Sequence, residues 1–218
     1  VRVPDHRCRG CDTDDLNPAG GPDTLRAMSE HTPPQGATTQ PPGEILPAPD
    51  SSEQIFDGNV VRLRVSTYTR PSGLTVTREV LDHHGAVTMV PIEDDHILMV
   101  RQPREAAQEM MLELPAGKLD YAGEDPLEAA KRELGEEVGR AAGKWSYLGG
   151  FYTAPALLTE FIHLFVASDL TPSAIEPLEE EEIEVVRVPL SHLPTVIDQV
   201  RDAKTLIGLL RIARALGI

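Results

Sequence analysis

A chain of 218 residues carries 35 acidic against 20 basic side chains, a formal net charge of −15 at pH 7, and is 40% hydrophobic. The hydrophobic share supports a sizeable core in one or two domains, and the acidic excess argues against binding to nucleic acid or anionic membranes, both of which are driven by Lys and Arg. No run of about eighteen apolar residues marks a membrane span, and no basic-then-apolar pattern marks a secretory signal, so the sequence predicts a soluble, cytoplasmic protein acting on a small molecule.

Residues 1–52 are rich in Pro, Gly, Thr and Asp and show no periodicity, which predicts a disordered N-terminal extension. The chain opens on Val1 rather than Met, and Met28 is a candidate natural start. Cys8 and Cys11 form a single Cys-x-x-Cys beside His6; a four-ligand zinc site needs a second pair, so zinc and redox chemistry are disfavoured.

From residue 53 to 84 β-branched and apolar residues alternate with polar ones, as in Val61-Arg-Leu-Arg-Val65 and Leu74-Thr-Val-Thr77, around a turn at Pro71-Ser-Gly73. The pattern predicts a small antiparallel sheet segment, too small to be stable alone. Residues 85–218 read as the main domain. Ala86–Ile92 and His96–Arg101 are strands joined at Glu93-Asp94-Asp95, and Met111–Gly117 leads into a loop and a helix. Trp145–Tyr152, Phe161–Ala167 and Glu184–Pro189 are further strands, and the apolar spacing from Leu193 to Leu216 predicts two core-facing helices.

The stretch from Ala116 to Gly139 is the most informative. Asp125 is a natural N-cap, Pro126 suits the first helical position, Glu128 completes a capping box, and Gly139 ends the helix in a left-handed conformation. Leu127, Ala130, Leu134 and Val138 form an apolar stripe, and Glu133, Glu136 and Glu137 share the adjoining edge. Like charges at these spacings repel, and anions near a helix C-terminus oppose its dipole, so the edge calls for a cation. Hard oxygen ligands without neighbouring His or Cys suit Mg²⁺ or Mn²⁺.

These residues resemble the signature of the Nudix hydrolases: Gly117, Glu124, Arg132, Glu133, Leu134, Glu136, Glu137 and Gly139 stand at its fixed positions. Six residues rather than the usual five separate Gly117 from Glu124, and Arg140 replaces an aliphatic residue. The resemblance implies an α/β fold, the Nudix α/β/α sandwich with a mixed sheet, preceded by the small antiparallel sheet. It implies metal held by Glu133 and Glu137, with Glu136 and the Ala116 carbonyl as further ligands. Arg132 and Glu124 orient those ligands, and Arg132 counts among the catalytic residues. A mobile-loop glutamate serves as base in several relatives; here Glu182, Glu181 and Glu180 are the candidates, with a solvated acidic turn as the alternative reading of Glu179–Glu182.

The chain is similar in particular to the ADP-ribose pyrophosphatase branch. Pro155 stands sixteen residues after Gly139, at the branch's marker distance, although Ala156-Leu-Leu-Thr159 departs from the usual continuation and only Glu160 survives from it. Arg78 and Arg104 match arginines that reach substrate phosphate, and Gly117 and Glu160 complete the implied substrate contacts. Tyr68 and Trp145 are adenine-stacking candidates without positional support. The resemblance implies Mg²⁺, or Mn²⁺, as cofactor, a homodimer built through the small sheet, and hydrolysis of ADP-ribose to AMP and ribose 5-phosphate. Another nucleoside diphosphate sugar such as GDP-mannose, or a non-catalytic nucleotide-sensing role, are the alternatives.

Overall fold

The computed structural model describes residues 46–58, 61–121, 123–175 and 182–218. Most of the predicted extension, with His6, Cys8, Cys11 and Met28, lies outside the described residues, as do Glu179, Glu180 and Glu181. Strands β1 (Ser51–Asp57), β2 (Arg62–Thr69) and β3 (Thr75–Asp82) form an antiparallel sheet in that order. The predicted turn closes β2 onto β3: Gly73 takes φ 82°, open to glycine, and its N–H donates to Arg70 O at 2.8 Å. β1 is exposed along its whole length, and Ile55, Phe56, Val61 and Leu74 leave apolar surface in water.

The second sheet is mixed and, among the described residues, runs β10-β5-β4-β9-β8, with β6 beside β5 and β7 beside β4. Its strands are β4 (Ala86–Glu93), β5 (His96–Arg104), β6 (Glu109–Glu113), β7 (Ala116–Lys118), β8 (Arg140–Tyr152), β9 (Phe161–Pro172) and β10 (Glu184–Pro189). Helix α1 (Pro126–Val138) follows β7, and α2 (Leu193–Gln199) and α3 (Ala203–Leu216) follow β10. β4 and β9 pair in parallel at the centre, whereas the other pairs are antiparallel.

The period of two in β4, β5 and β9 divides the core. Val90, Ile92, Ile97, Met99, Leu164 and Val166 pack toward α2 and α3, with Leu193, Leu209 and Ile212. Val87, Met89, Leu98, Val100, Phe165 and Ala167 pack toward α1, against Ala130, Leu134 and Val138. Helices therefore cover both faces of the sheet, the expected α/β/α layering. The β4–β5 hairpin closes on Asp94 and Asp95 at φ 49° and 58°, the left-handed pair of a tight two-residue turn that Asp tolerates.

β8 begins at Arg140, ahead of the Trp145 start predicted from sequence. Gly139, at φ 67°, turns the chain directly from α1 into the strand, and Arg140 Nε is held by Glu93 Oε1 at 2.8 Å. Glu93 also pairs with Arg187, and hydrogen bonding to Arg140 and Arg187 holds its carboxyl below the usual range. The arginine in the aliphatic position thus anchors the β4–β5 hairpin. β3 is tied to the loop between β8 and β9, where Leu81 N donates to Leu157 O at 2.8 Å and Thr159 N donates to Leu81 O at 3.0 Å.

Candidate active site

Helix α1 sets out its carboxylates through its ends and its buried stripe. Asp125 caps it, accepting from Leu127 N at 2.8 Å, and Gly139 closes it with its N–H on Gly135 O at 3.1 Å. The capping box is not reciprocal: Glu128 accepts from Lys131 Nζ at 2.7 Å on the exposed surface. With Ala129, Ala130, Leu134 and Val138 buried, Glu133 and Glu136 emerge at the rim of the sheet, 12% and 16% exposed, and Glu137 is 9% exposed.

Arg132 gathers that rim. Its Nη1 donates to Glu133 Oε1 at 2.7 Å and Glu136 Oε2 at 3.0 Å, while Nη2 lies 3.5 Å from Asp120 and 3.8 Å from Glu124. Glu124 in turn accepts from Asp120 N at 2.6 Å, pinning the loop that contains the extra residue. The insertion is absorbed ahead of the helix, where it leaves the phase of the carboxylates unchanged. Burial works against the Arg132 charge, but the surrounding carboxylates, Glu133 first, raise its pKa above the ordinary value.

β7 faces this edge. Its pairing with β4, Thr88 opposite Ala116 and Val87 opposite Gly117, fixes the backbone beside the helix, and Ala116 N donates to Glu137 Oε2 at 2.9 Å. A Cβ on Gly117 would fall within the Glu133 carboxylate. Glycine is required there by close approach; its φ is not in the left-handed region.

Arg104, at the end of β5, makes a bidentate pair with Glu113 of β6, Nε to Oε1 and Nη2 to Oε2, both at 2.7 Å. Glu113 is 1% exposed. Burial alone would raise its pKa, but hydrogen bonds from Arg104 and Lys204 prevail and hold it ionised, while the bond to Glu113 raises the pKa of Arg104. Glu113, the partner that orients the candidate Arg104, is not among the residues singled out from the sequence. Its signal was a single acidic side chain inside the apolar run Met110-Met-Leu-Glu-Leu114.

The remaining candidates are dispersed. Arg78 lies exposed on β3 and donates to Thr77 O at 2.7 Å. Glu160 accepts from Thr153 Oγ1 at 2.7 Å, closing the loop that carries Pro155, and faces His83 Nε2 at 3.5 Å. His83 Nδ1 accepts from Gly85 N at 3.0 Å, and burial pushes its pKa down despite Glu160. Glu182 is exposed two residues ahead of β10, next to Ile183, which packs on the α1 face. Tyr68 sits on β2 and Trp145 on β8, where it meets Phe165 edge-on at 6.1 Å, so the two aromatics lie in different sheets.

Among the described residues, no three His, Cys, Asp or Glu side chains converge closely enough to enclose a metal ion. The donor chemistry nevertheless fits a hard divalent cation: Mg²⁺ takes one or two carboxylates and keeps water or phosphate in its other positions. Glu133 and Glu137, beside the Ala116 backbone, supply that number. No described helix is long and apolar enough to cross a membrane.

A NUDIX domain matches residues 82–207. The ADP-ribose pyrophosphatase of Bacillus subtilis (strain 168) is 38% identical over 160 residues, covering 71% of this chain and 86% of its own. The methanol dehydrogenase activator of Bacillus methanolicus is 38% identical over 162 residues, covering 72% and 87%. A crystal structure of an ADP compounds hydrolase aligns with a TM-score of 0.70 at 27% identity, over 80% of this chain and 97% of that one. Signature, layered fold and extent of similarity agree, and the chain belongs to the Nudix family.

Proposed function

We propose that this chain is a Mg²⁺-dependent nucleoside diphosphate sugar hydrolase that cleaves the diphosphate of ADP-ribose to AMP and ribose 5-phosphate. The observation that carries the reading is the carboxylate edge of α1 set against the Ala116–Gly117 backbone, with Glu137 on Ala116 N at 2.9 Å and Glu133 filling the space that Gly117 leaves. The names of the similar proteins support the substrate class.

Glu133 and Glu137 would hold the cation, with Glu136 and the Ala116 carbonyl completing the set. When bound, it supplies Lewis-acid stabilisation of phosphate charge and a more acidic water. Mn²⁺ satisfies the same donors. Arg132 keeps Glu133 and Glu136 oriented through its two Nη1 bonds. Arg104 uses Nε and Nη2 on Glu113 and thereby leaves Nη1 for a substrate phosphate. Gly117, through its backbone, and Glu160 line the substrate side. Glu182 takes the proton of the attacking water, with Glu181 and Glu180 as the competing assignments.

In this reading residues 53–84 are a dimerisation segment. The exposed apolar side chains of β1 and its flanks are the surface for a second copy, and Arg78, exposed on β3, is the further contact to a substrate phosphate. Residues 85–218 are the hydrolase domain and residues 1–52 an extension. A monomer mass in light scattering would count against the dimer.

The test is incubation with ADP-ribose and Mg²⁺, with chromatographic detection of AMP; absence of AMP refutes the substrate. A parallel arm with GDP-mannose addresses the second reading, which the altered stretch Ala156–Thr159 favours. Glu137→Gln separates both from a nucleotide sensor, whose function would survive it.

A further inference from the structure

The Arg104–Glu113 pair belongs to a larger, partly buried cluster. Glu113 Oε2 also accepts from Lys204 Nζ, in the first turn of α3. Lys204 Nζ donates in turn to Asp202 Oδ2 at 2.9 Å. Asp202 is the N-cap of α3, accepting from Thr205 N at 2.9 Å and from Thr205 Oγ1 at 2.6 Å, and Thr205 Oγ1 accepts from Leu114 N at 2.8 Å. The first turn of α3 is thereby tied to the segment that runs through Leu114 and Pro115 into Ala116 and Gly117. Exposure falls inward through the cluster, from 40% at Arg104 to 12% at Lys204 and 1% at Glu113.

Burying a carboxylate this deeply is costly, and apolar residues of similar size often serve stability equally well. Here the two acids, Glu113 and Asp202, meet two cations, Arg104 and Lys204, and the cluster is neutral as a whole. Charge balance leaves the guanidinium of Arg104 committed on one edge only. Without Lys204 the same guanidinium would be the sole cation of the cluster facing Glu113 and Asp202, with Glu137 acting on it as well, and both its orientation and its attraction for an incoming anion would suffer.

We propose that Lys204 is a positioning residue of the hydrolytic site: by neutralising Glu113 and Asp202, it holds Glu113 against Nε and Nη2 of Arg104 and keeps Nη1 directed at a phosphate of the substrate. The inference rests on the reading of Arg104 as a phosphate ligand. Lys204 touches no reacting atom, and its effect passes through Arg104.

The experiment is a double-mutant cycle of Lys204→Met and Arg104→Gln on the full chain with ADP-ribose and Mg²⁺, read as kcat and KM separately. Loss of a charge-assisted contact predicts that Lys204→Met raises KM about tenfold with kcat little changed. Lys204→Arg restores most of the affinity. In the Arg104→Gln background, Lys204→Met costs less than about twofold more, because the path it acts through is already gone. Thermal unfolding of each variant accompanies the kinetics; if Lys204→Met does not fold, Lys204→Gln, which keeps a donor, takes its place. An unchanged KM, or equal losses in both backgrounds, overturns the proposal and leaves the hydrolytic reaction standing. Failure of the wild-type protein to hydrolyse ADP-ribose overturns that substrate instead, and the same cycle run on GDP-mannose then decides the role of Lys204: additive losses, or no turnover, refute it and non-additive losses support it.

Discussion

Replacing Gly117 by Ala separates the requirements of the fold from those of the site. The backbone at Gly117 is outside the left-handed region, so Ala can adopt it, and lost freedom of the unfolded chain favours the variant by about 0.4–1 kcal/mol. The added methyl, however, would occupy the space of the Glu133 carboxylate. To regain an ordinary contact the carboxylate must retreat by more than about 1 Å. Glu133 is 12% exposed and at the rim, so it can swing outward without opening a core cavity, at the expense of its Arg132 bond. The two stability effects nearly offset, which predicts a net change within about 1 kcal/mol. Catalysis has no such compensation: a misplacement of about 1 Å in a ligand costs on the order of 100-fold. The assay is kcat/KM for ADP-ribose at saturating Mg²⁺, with thermal unfolding alongside. A variant that folds normally and keeps kcat/KM within about threefold of wild type would refute the placement of Glu133 at the centre of the site.

Among Glu180→Gln, Glu181→Gln and Glu182→Gln, the variant that removes the general base loses about 10²–10⁴-fold in kcat with KM little changed; three small, similar losses by steady-state kinetics would return the run to a solvated turn. Acid sensitivity should develop in two stages. Burial lowers the pKa values of His83 and His163, so the unfolded chain binds more protons below about pH 6.5 and stability declines as pH falls through that range. Glu113 and Asp202 resist burial through their cationic partners and have lowered pKa values; their contribution is present above about pH 4 and is lost as pH falls through the folded values. Urea unfolding at a series of pH values checks both stages, and stability that stays flat between neutrality and pH 5 contradicts the first.

The helix and its ends were legible because they depend on local chemistry. Asp125, Pro126 and Gly139 act within one turn of themselves, and they bound α1 as the sequence predicts. The division of the core was not legible, since β4, β5 and β9 are near-continuous apolar runs buried on both faces, and only their pairing shows which residues pack toward which helix. What sequence could not supply was partner choice across long separations. Glu128 fits a capping box by spacing, yet Lys131 lies within reach and takes its carboxylate. Arg140 reads as a departure from the signature until Glu93, 47 residues earlier, is seen beside it. Glu113 meets Lys204 from 91 residues away. Small and polar residues at Arg140–Lys144 hid the first residues of β8, where pairing with β9 replaces alternation as the cause of the strand.

Part of the acidic excess of the chain gathers at the rim of α1, where its effect can be measured. Arg132 lies within 4 Å of Asp120, Glu124, Glu133 and Glu136, so four carboxylates share one guanidinium, and Glu137 adds a fifth charge at the same rim. Fixed anions in such excess repel one another in the metal-free protein, and a divalent cation relieves that repulsion. Binding to the folded chain alone then stabilises it, by about 2.7 kcal/mol at a concentration 100 times Kd. Arg132→Met sharpens the test. Removing the guanidinium leaves the carboxylates without their shared partner, so the metal-free variant should melt below wild type. Two effects then oppose each other when Mg²⁺ is added: less competition for the Glu133 and Glu136 oxygens enlarges the gain in Tm, whereas loss of ligand orientation reduces it. Removing a positive charge that lies within 4 Å of four carboxylates favours a divalent cation at the same oxygens directly, so the electrostatic gain should exceed the orientational loss for binding, although kcat still falls about 10–100-fold. Melting curves with chelator and with Mg²⁺ decide the matter. A smaller Mg²⁺-induced shift in the variant than in wild type would mean that Arg132 builds the cation site, rather than competing with the cation for the same oxygens.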